Sequence, residues 1–287
     1  MTFLVKPSIL DGLVRDRARR AMQDGDGKTM IKKHHNRDSG NGGMLGRVGS
    51  MVKRFSKATV DRKTSGNPDL VFIWVPKAAG TSIFTFLSDR LGMKKLKTAK
   101  QAMSFVNRGA VTFGHQHYLS LLEAGFVSQD FNSRAFKFAF ARNPYARVAS
   151  LYNYLNQRDL TNEHCFDRFL DDIRLRPPIG LYNLPNLSLA NPITDWLMND
   201  TGTFLVDRVF KVEEMYDFSR YFEQHYGLRF DAKERHNTSN QVISIEDITG
   251  NAERIEKINR IYERDFELLG YEMINPQWAH SCPPRSS

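Results

Sequence analysis

The run Leu70-Val71-Phe72-Ile73-Trp74-Val75 constrains the fold more than any other feature of this sequence. This unbroken apolar run, bounded by prolines at positions 68 and 76, predicts a strand that is buried on both faces, as strands of parallel sheets are. Apolar residues from Ile83 to Leu87 then recur at helical spacing. The segment therefore predicts a strand, a tight loop and a helix in succession.

A second unit of the same kind begins at Phe136. The run from Phe136 to Ala141 predicts another short strand, and the apolar spacing from Val148 to Leu155 predicts the helix that follows it. Two such units imply crossover connections and a parallel sheet with helices packed against it. The predicted fold class is α/β, with a P-loop-like central parallel β-sheet flanked by helices. Three later segments also have helical patterns: Cys165 to Ile173, Met215 to Tyr226 and Arg254 to Leu269.

The charge of the chain is concentrated in its first 64 residues. They contain 15 Lys and Arg against 6 Asp and Glu, whereas the rest of the chain contains 26 of each kind. The net charge of +9 therefore belongs to this segment and gives no ground for predicting a nucleic-acid partner. We predict a basic, partly disordered N-terminal arm over residues 1–66 and one α/β domain over residues 67–287.

The arm contains one segment, Ser8 to Gln23, with the spacing of an amphipathic helix. Three interpretations stay open: a solvated arm, peripheral contact with an anionic membrane surface through residues 1–64, and contact with another protein or another copy. No apolar run approaches the roughly 20 residues that a membrane-spanning helix needs, and the first residues do not resemble a secretory signal. We expect a cytoplasmic protein, peripheral at the inner membrane face under the second interpretation, and leave the oligomeric state open.

The loop Pro76-Lys77-Ala78-Ala79-Gly80-Thr81-Ser82 predicts an anion site. A loop between a strand and a helix directs backbone N–H groups toward one point beside the positive end of the helix, which suits a phosphate or a sulfate. Gly80 permits close approach of the backbone, Thr81 and Ser82 add hydroxyl groups, and Lys77 adds a charge. In a Walker loop the lysine directly precedes the hydroxyl residue, whereas Lys77 lies four residues before Thr81. This spacing disfavours a kinase or other phosphoryl-transfer enzyme, which we keep as the alternative function.

This loop resembles the 5′-phosphosulfate-binding loop of sulfotransferases that use 3′-phosphoadenosine 5′-phosphosulfate (PAPS), and is most similar to the carbohydrate-type, family 2-like branch. The segment Ala139 to Ser150 resembles the 3′-phosphate-binding element of that family, with Arg142 at a strand end, an Asn-Pro turn and Ser150 eight residues further on. Arg142 and Ser150 can converge on one phosphate, and arginine offers a bidentate grip. The resemblance implies a list of PAPS-binding residues: Lys77, Ala78, Ala79, Gly80, Thr81, Ser82, Arg142 and Ser150.

Three weaker similarities extend the resemblance to roughly Pro68–Tyr271. Asn191–Leu197 is similar to the segment that closes over the nucleotide, although Ile193 replaces the glutamine that usually follows the proline. Val209–Met215 is similar to a later strand that ends in glutamate, and Ile261–Tyr271 is similar to the closing helix of the family.

The segment Thr112-Phe113-Gly114-His115-Gln116-His117-Tyr118 holds the best candidates for a general base. Histidine titrates near the working pH, which a base for an alcohol proton requires. In an extended segment His115 and His117 would share a face, although either could instead be a loop histidine bonded to backbone. The resemblance implies that His115 is the catalytic base, with His117 in reserve, and that Lys77 stabilises the leaving phosphate.

The predicted function is transfer of a sulfonate group from PAPS to a hydroxyl of a carbohydrate or glycoconjugate. We predict no metal requirement, because the loop, Lys77 and Arg142 supply the positive charge. Cys165 and Cys282 have neither a disulfide framework nor the spacing of metal ligands.

Overall fold

Five short parallel strands form the centre of the protein. The computed structural model describes residues 68–158, 160, 165–176, 187–231 and 242–280. The strand order is β2–β3–β1–β4–β5, and all four neighbouring pairs are parallel. The predicted α/β class with a parallel central sheet is therefore confirmed. The strands are β1 (Leu70–Ile73), β2 (Lys94–Lys95), β3 (Ala110–Thr112), β4 (Phe136–Ala141) and β5 (Arg208–Lys211).

The central strand β1 ends two residues before the apolar run does. All four of its residues are buried, as expected for a strand between two neighbours and two helical layers. The N–H of Val75 donates to the carbonyl of Ile73 at 3.1 Å, so the chain turns out of the ladder there. Trp74 and Val75 stay buried beyond the strand, and their apolar character therefore reflects packing of the loop.

Helices connect and cover the strands. Met215–Tyr226 is helical over the predicted residues, whereas the segment predicted as one helix over 254–269 is divided at Tyr262. The described helices are α1 (Gly80–Leu91), α2 (Ala99–Met103), α3 (Tyr118–Glu123), α4 (Gln129–Arg134), α5 (Pro144–Gln157), α6 (Phe166–Asp171), α7 (Ile193–Leu197), α8 (Met215–Tyr226), α9 (Ile245–Thr249), α10 (Ala252–Ile261) and α11 (Glu263–Leu269), with 3-10 turns at Val212–Glu214 and Pro276–His280.

Aromatic side chains join the sheet to α8. Phe140 packs on Phe218 with 5.1 Å between ring centres, and Phe138 packs on Phe222 at 5.3 Å. Aromatic pairs at these distances add to the free energy gained from burial alone. A second buried cluster joins α5 to α6, α9, α10 and α11.

The order of the strands leaves a crevice between β1 and β4. The connection after β1 leads to β2 at one edge of the sheet, and the connection after β4 leads to β5 at the other. In open α/β sheets, ligands bind where neighbouring strands diverge in this way, outside their carboxyl ends. The loops that follow β1 and β4 contain the two predicted phosphate elements.

The arm over residues 1–66, its predicted helix and the proposed membrane contact lie outside the described residues and stay predictions. Among the described helices, none has both the length and the apolar character needed to cross a bilayer.

Candidate active site

The loop that leaves β1 turns through two non-glycine residues in the left-handed region of backbone space. Lys77 has a φ of 64° and Ala79 a φ of 55°, and this region costs roughly 1–2 kcal/mol for a residue with a Cβ atom. Helix α1 begins at Gly80, and no side chain caps its first turn. Within the described part of the chain, the backbone N–H groups of residues 77–81 find no acceptor. Unpaired donors at the start of a helix favour a bound anion.

Gly80 lies directly against the indole of Trp74. A Cβ atom at residue 80 would lie 1.6 Å from Trp74 Nε1 and 2.1 Å from its Cδ1. The indole is held in place because it stacks on Phe84 at 5.6 Å between ring centres, and Lys95 Nζ lies 3.5 Å from the ring centre. Only glycine fits this position, so the packing of Trp74 explains why the loop contains a glycine here.

Three cationic side chains lie around the loop. Lys77 Nζ lies 4.2 Å from the centre of the Tyr154 ring, and the Arg158 guanidinium lies 5.1 Å from the same ring. Arg142 Nη1 donates to the Lys77 carbonyl at 3.5 Å. None of the three cations has a carboxylate within 4.0 Å in the described structure.

Burial and like charges change the acidity of these groups. Burial, and then the positive charges of Arg142 and Arg158, lower the pKa of Lys77 to about 8. Burial also lowers the pKa of Arg142, and the negative charge of Glu213 opposes this shift. Partly buried cations without partners are unfavourable in the absence of a counter-charge. The arrangement is therefore suited to an anion with more than one negative charge, and it fits the phosphate and phosphosulfate groups of PAPS.

The remaining predicted loop residues differ in their exposure. Ala78 and Ser82 are buried, whereas Thr81 is exposed and Ser150 is half-buried on α5. The hydroxyls of Thr81 and Ser150 make no hydrogen bond to another described residue. The structure thus brings Lys77 and Arg142 into contact, and it leaves these two hydroxyl groups available.

The second predicted phosphate element has a capped helix. Asn143 Oδ1 accepts from the N–H groups of Tyr145 at 3.0 Å and Ala146 at 3.5 Å. Glu213 accepts from the N–H of Asn143 at 2.8 Å and from the hydroxyl of Tyr271 at 3.0 Å. The N-terminus of α5 is therefore satisfied within the protein, unlike that of α1, and an anion here would depend on side chains such as Arg142.

His115 is bonded to the end of β1. Its Nδ1 lies 3.0 Å from the carbonyl oxygen of Trp74, and its ring packs edge-on against the indole. A carbonyl can only accept, so Nδ1 carries the proton in the neutral ring and Nε2 keeps its lone pair. Partial burial lowers the pKa of His115, the hydrogen bond to Trp74 opposes that shift, and the charges of Lys95 and Lys77 add to it. The ring is exposed enough to meet a substrate.

His117 has a different environment. It is 4% exposed, its Nδ1 lies 2.9 Å from Ser120 Oγ, and its Nε2 is buried without a partner among the described residues. Burial lowers its pKa, against opposing effects from the Asp195 backbone and the Asp200 charge. The segment is not extended, because Gly114 turns it with a φ of 62°. The condition for a shared face, an extended segment, is therefore not met, and His115 is exposed whereas His117 is buried.

Sequence reasoning missed Tyr154 and Arg158. Both lie close to Lys77, and the signal for them was a spacing of four residues. Ser150 and Tyr154 lie four residues apart on α5, and Arg158 follows after four more, directly beyond the end of that helix. His164 and the polar loop from His236 to Asn240 lie outside the described residues. Among the described residues, no three His, Cys, Asp or Glu side chains form a group that could hold a metal ion.

A sequence model of the sulfotransferase family matches residues 61–184. This stretch is a sulfotransferase-family region. It contains the loop after β1, the Gly114-His115 segment and the element from Arg142 to Ser150, so the resemblance drawn from those motifs is confirmed. Comparison with curated proteins and with solved structures gave no significant match. The match supports sulfotransfer in general as the chemistry of this region.

Proposed function

We propose that this protein transfers a sulfonate group from PAPS to a hydroxyl of a carbohydrate or glycoconjugate. The observation that carries the proposal is the group of cations around Lys77. Among the residues that the structure describes, this group has no carboxylate partner, and it adjoins a row of N–H groups without an acceptor. This arrangement lies in the sulfotransferase-family region, beside a histidine with an available Nε2.

Two sets of residues would hold the donor. The N–H groups from Lys77 to Thr81 and the hydroxyls of Thr81 and Ser82 would bind the 5′-phosphosulfate. Arg142 and Ser150 would bind the 3′-phosphate. PAPS, when bound, supplies the sulfonate group together with a phosphate leaving group.

Lys77 and His115 have complementary roles in this mechanism. His115 Nε2 would take the proton of the acceptor hydroxyl, because the Trp74 carbonyl keeps the other nitrogen protonated. Lys77 Nζ would neutralise the negative charge that grows on the leaving oxygen. We assign the base to His115 and not to His117, whose buried ring has no open approach for an acceptor.

The acceptor class rests on similarity of the Ala-Ala-Gly-Thr-Ser loop and the Gly-His segment to the carbohydrate-type branch. It is a proposal drawn from family likeness, as are a cytoplasmic location and peripheral membrane contact through residues 1–64. No metal enters the mechanism, because Lys77, Arg142 and the loop N–H groups supply the positive charge.

Calorimetric titration with 3′-phosphoadenosine 5′-phosphate (PAP), the desulfonated donor, tests the proposal directly. We expect micromolar binding of PAP, loss of binding in an Arg142→Ala/Ser150→Ala variant, and no binding of ATP with magnesium. Arg220→Ala, which changes an exposed arginine on α8, is the matched control and should bind PAP as the wild type does. Preference for ATP would favour the phosphoryl-transfer alternative, and binding of neither nucleotide would contradict both.

A further inference from the structure

Two arginines hold the two carbonyl groups on either side of Lys77. Arg147 Nε donates to the Pro76 carbonyl at 3.1 Å, and Arg142 Nη1 donates to the Lys77 carbonyl at 3.5 Å. Arg142 belongs to the predicted anion site, but Arg147 is only 2% exposed and faces the interior. Its charge is thus unable to meet a ligand directly.

The bond from Arg147 to Pro76 fixes the direction of a neighbouring N–H group. The Pro76 carbonyl and the Lys77 N–H belong to one planar trans peptide, so the two point in opposite directions. With the carbonyl held by Arg147, the Lys77 N–H points away from that arginine, and it has no acceptor among the described residues. Lys77 also has a left-handed φ of 64°, a conformation that needs support from its surroundings.

Arg147 also contacts a second segment. Its Nη2 donates to the Leu189 carbonyl at 3.0 Å, and its guanidinium lies 5.8 Å from the centre of the Tyr262 ring. The Tyr262 hydroxyl donates to the Ala190 carbonyl at 2.8 Å. The guanidinium thus joins the loop after β1 to the chain that leads into α7.

The start of α7 is fixed by another buried group. Asp265 is fully buried and accepts from the N–H groups of Ile193 at 2.7 Å and Thr194 at 2.9 Å. Burial raises the pKa of Asp265, and the positive charge of Arg147 opposes that shift, although the two groups form no ion pair within 4.0 Å. Arg147, Tyr262 and Asp265 therefore hold the segment from Leu189 to Thr194 at successive points.

We propose that Arg147 is a positioning residue, which orients the Lys77 peptide for the bound anion and couples the loop to the segment 189–194. The proposal rests on the proposed function, in which this loop binds the donor. A buried charge is seldom retained for stability alone, because apolar residues of similar volume often stabilise a core as well or better. A positional role accounts for the two directed hydrogen bonds.

Arg147→Lys is the informative variant. It keeps the buried charge but loses the planar fork that reaches Pro76 and Leu189 together. We expect a folded protein whose PAP dissociation constant rises about tenfold or more, the usual scale for losing a hydrogen bond from a charged group. Arg254→Lys is the matched control, since Arg254 bonds two oxygens of Asp167 and the Asp247 carbonyl, away from the loop. The control should retain wild-type PAP affinity.

A second readout does not depend on donor binding. The amine of Lys77 can be titrated by competitive acetylation over a pH series, followed by mass spectrometry of its peptide. In the wild type it should titrate near 8, and in Arg147→Lys it should move toward the ordinary value of 10.5 as the loop relaxes. If the wild type binds no PAP, the proposed function fails, but this titration still tests the role of Arg147.

Three results would overturn the inference. The first is wild-type PAP affinity and an unchanged Lys77 titration in folded Arg147→Lys. The second is an equal loss of affinity in Arg254→Lys, which would indicate a global effect. If Arg147→Lys does not fold, Arg147→Met takes its place, and failure of both to fold would show that the residue acts through stability.

Discussion

Two lysines of this protein differ in the direction of their pKa shifts. Lys257 on α10 lies 2.6 Å from Asp171 and 2.7 Å from Glu253, and hydrogen bonds to these carboxylates raise its pKa to about 12. Lys77 in the loop after β1 has no carboxylate within 4.0 Å in the described part of the chain, and burial and two arginines lower its pKa to about 8. The charge of Lys257 is satisfied by the fold, whereas that of Lys77 needs a ligand. The contrast separates a structural cation from a functional one.

Replacing Lys77 should have the largest effect. We expect Lys77→Ala to lower turnover by on the order of 10²-fold or more, because it removes the charge that stabilises the leaving oxygen. Lys257→Ala, the matched control, should keep wild-type turnover and change only stability. Steady-state sulfonate transfer from PAPS measures both variants, and equal losses in the two would remove the distinction between them.

Replacing His115 or His117 tests the same distinction between a functional and a structural group. We expect His115→Ala to lower turnover by on the order of 10²-fold, the scale for loss of a general base. His117→Ala should lower the free energy of unfolding, because it removes a buried ring bonded to Ser120, and the folded fraction should remain active. Measuring the turnover and the free energy of unfolding of each variant shows whether its loss is one of catalysis or of stability. Near-wild-type turnover in His115→Ala would exclude that residue from the mechanism.

Sequence patterns predicted the parts of the site that depend on local chain direction. The apolar run from Leu70 to Val75 and the run from Phe136 to Ala141 each end at a loop on the carboxyl edge of one sheet, as two strand–turn–helix units require. The positions of Lys77 and Arg142 follow from this topology. Their contact depends on strands that neighbour each other in space, which the pairing of β1 with β4 supplies.

Other parts of the site depend on side-chain packing, which local patterns do not report. Residues 114–116 bend after β3, and His115 is exposed whereas His117 is buried, although the sequence alone is compatible with an extended segment. Arg147 lies in a motif otherwise interpreted through Arg142 and Ser150, and its buried contacts with Pro76 and Leu189 join residues far apart in the chain.

Gly80→Ala tests the packing beneath the loop and should have an intermediate effect. The new Cβ atom would collide with the Trp74 indole, and overpacking of this kind typically costs roughly 1–3 kcal/mol. We expect lower stability in denaturant unfolding together with weaker PAP binding. Gly92→Ala is the control, since its Cβ would meet nothing within 4 Å and only the left-handed φ of 62° would be strained.

Trp74→Phe in the Gly80→Ala background should restore part of the lost PAP affinity, because the smaller ring leaves room for the methyl group. If Gly92→Ala weakened PAP binding as much as Gly80→Ala does, the contact with Trp74 would not be the cause.

The smallest effect is expected from a change of pH near neutrality, and the limits of that range follow from the two pKa shifts in the site. Lys77 must be protonated to stabilise the leaving oxygen, so kcat/KM for the donor should fall above about pH 8, where the free enzyme loses that proton. His115 must be neutral to accept a proton, and its pKa lies below the ordinary 6.5, so the acid limb should begin below that pH. Along each limb, well away from the pKa, kcat/KM should change about tenfold per pH unit.

Lys77→Arg keeps its charge across the range, and its profile should lack the alkaline limb even if its rate is lower. An alkaline limb that persists near pH 8 in Lys77→Arg would assign that limb to another group and contradict the role given to Lys77.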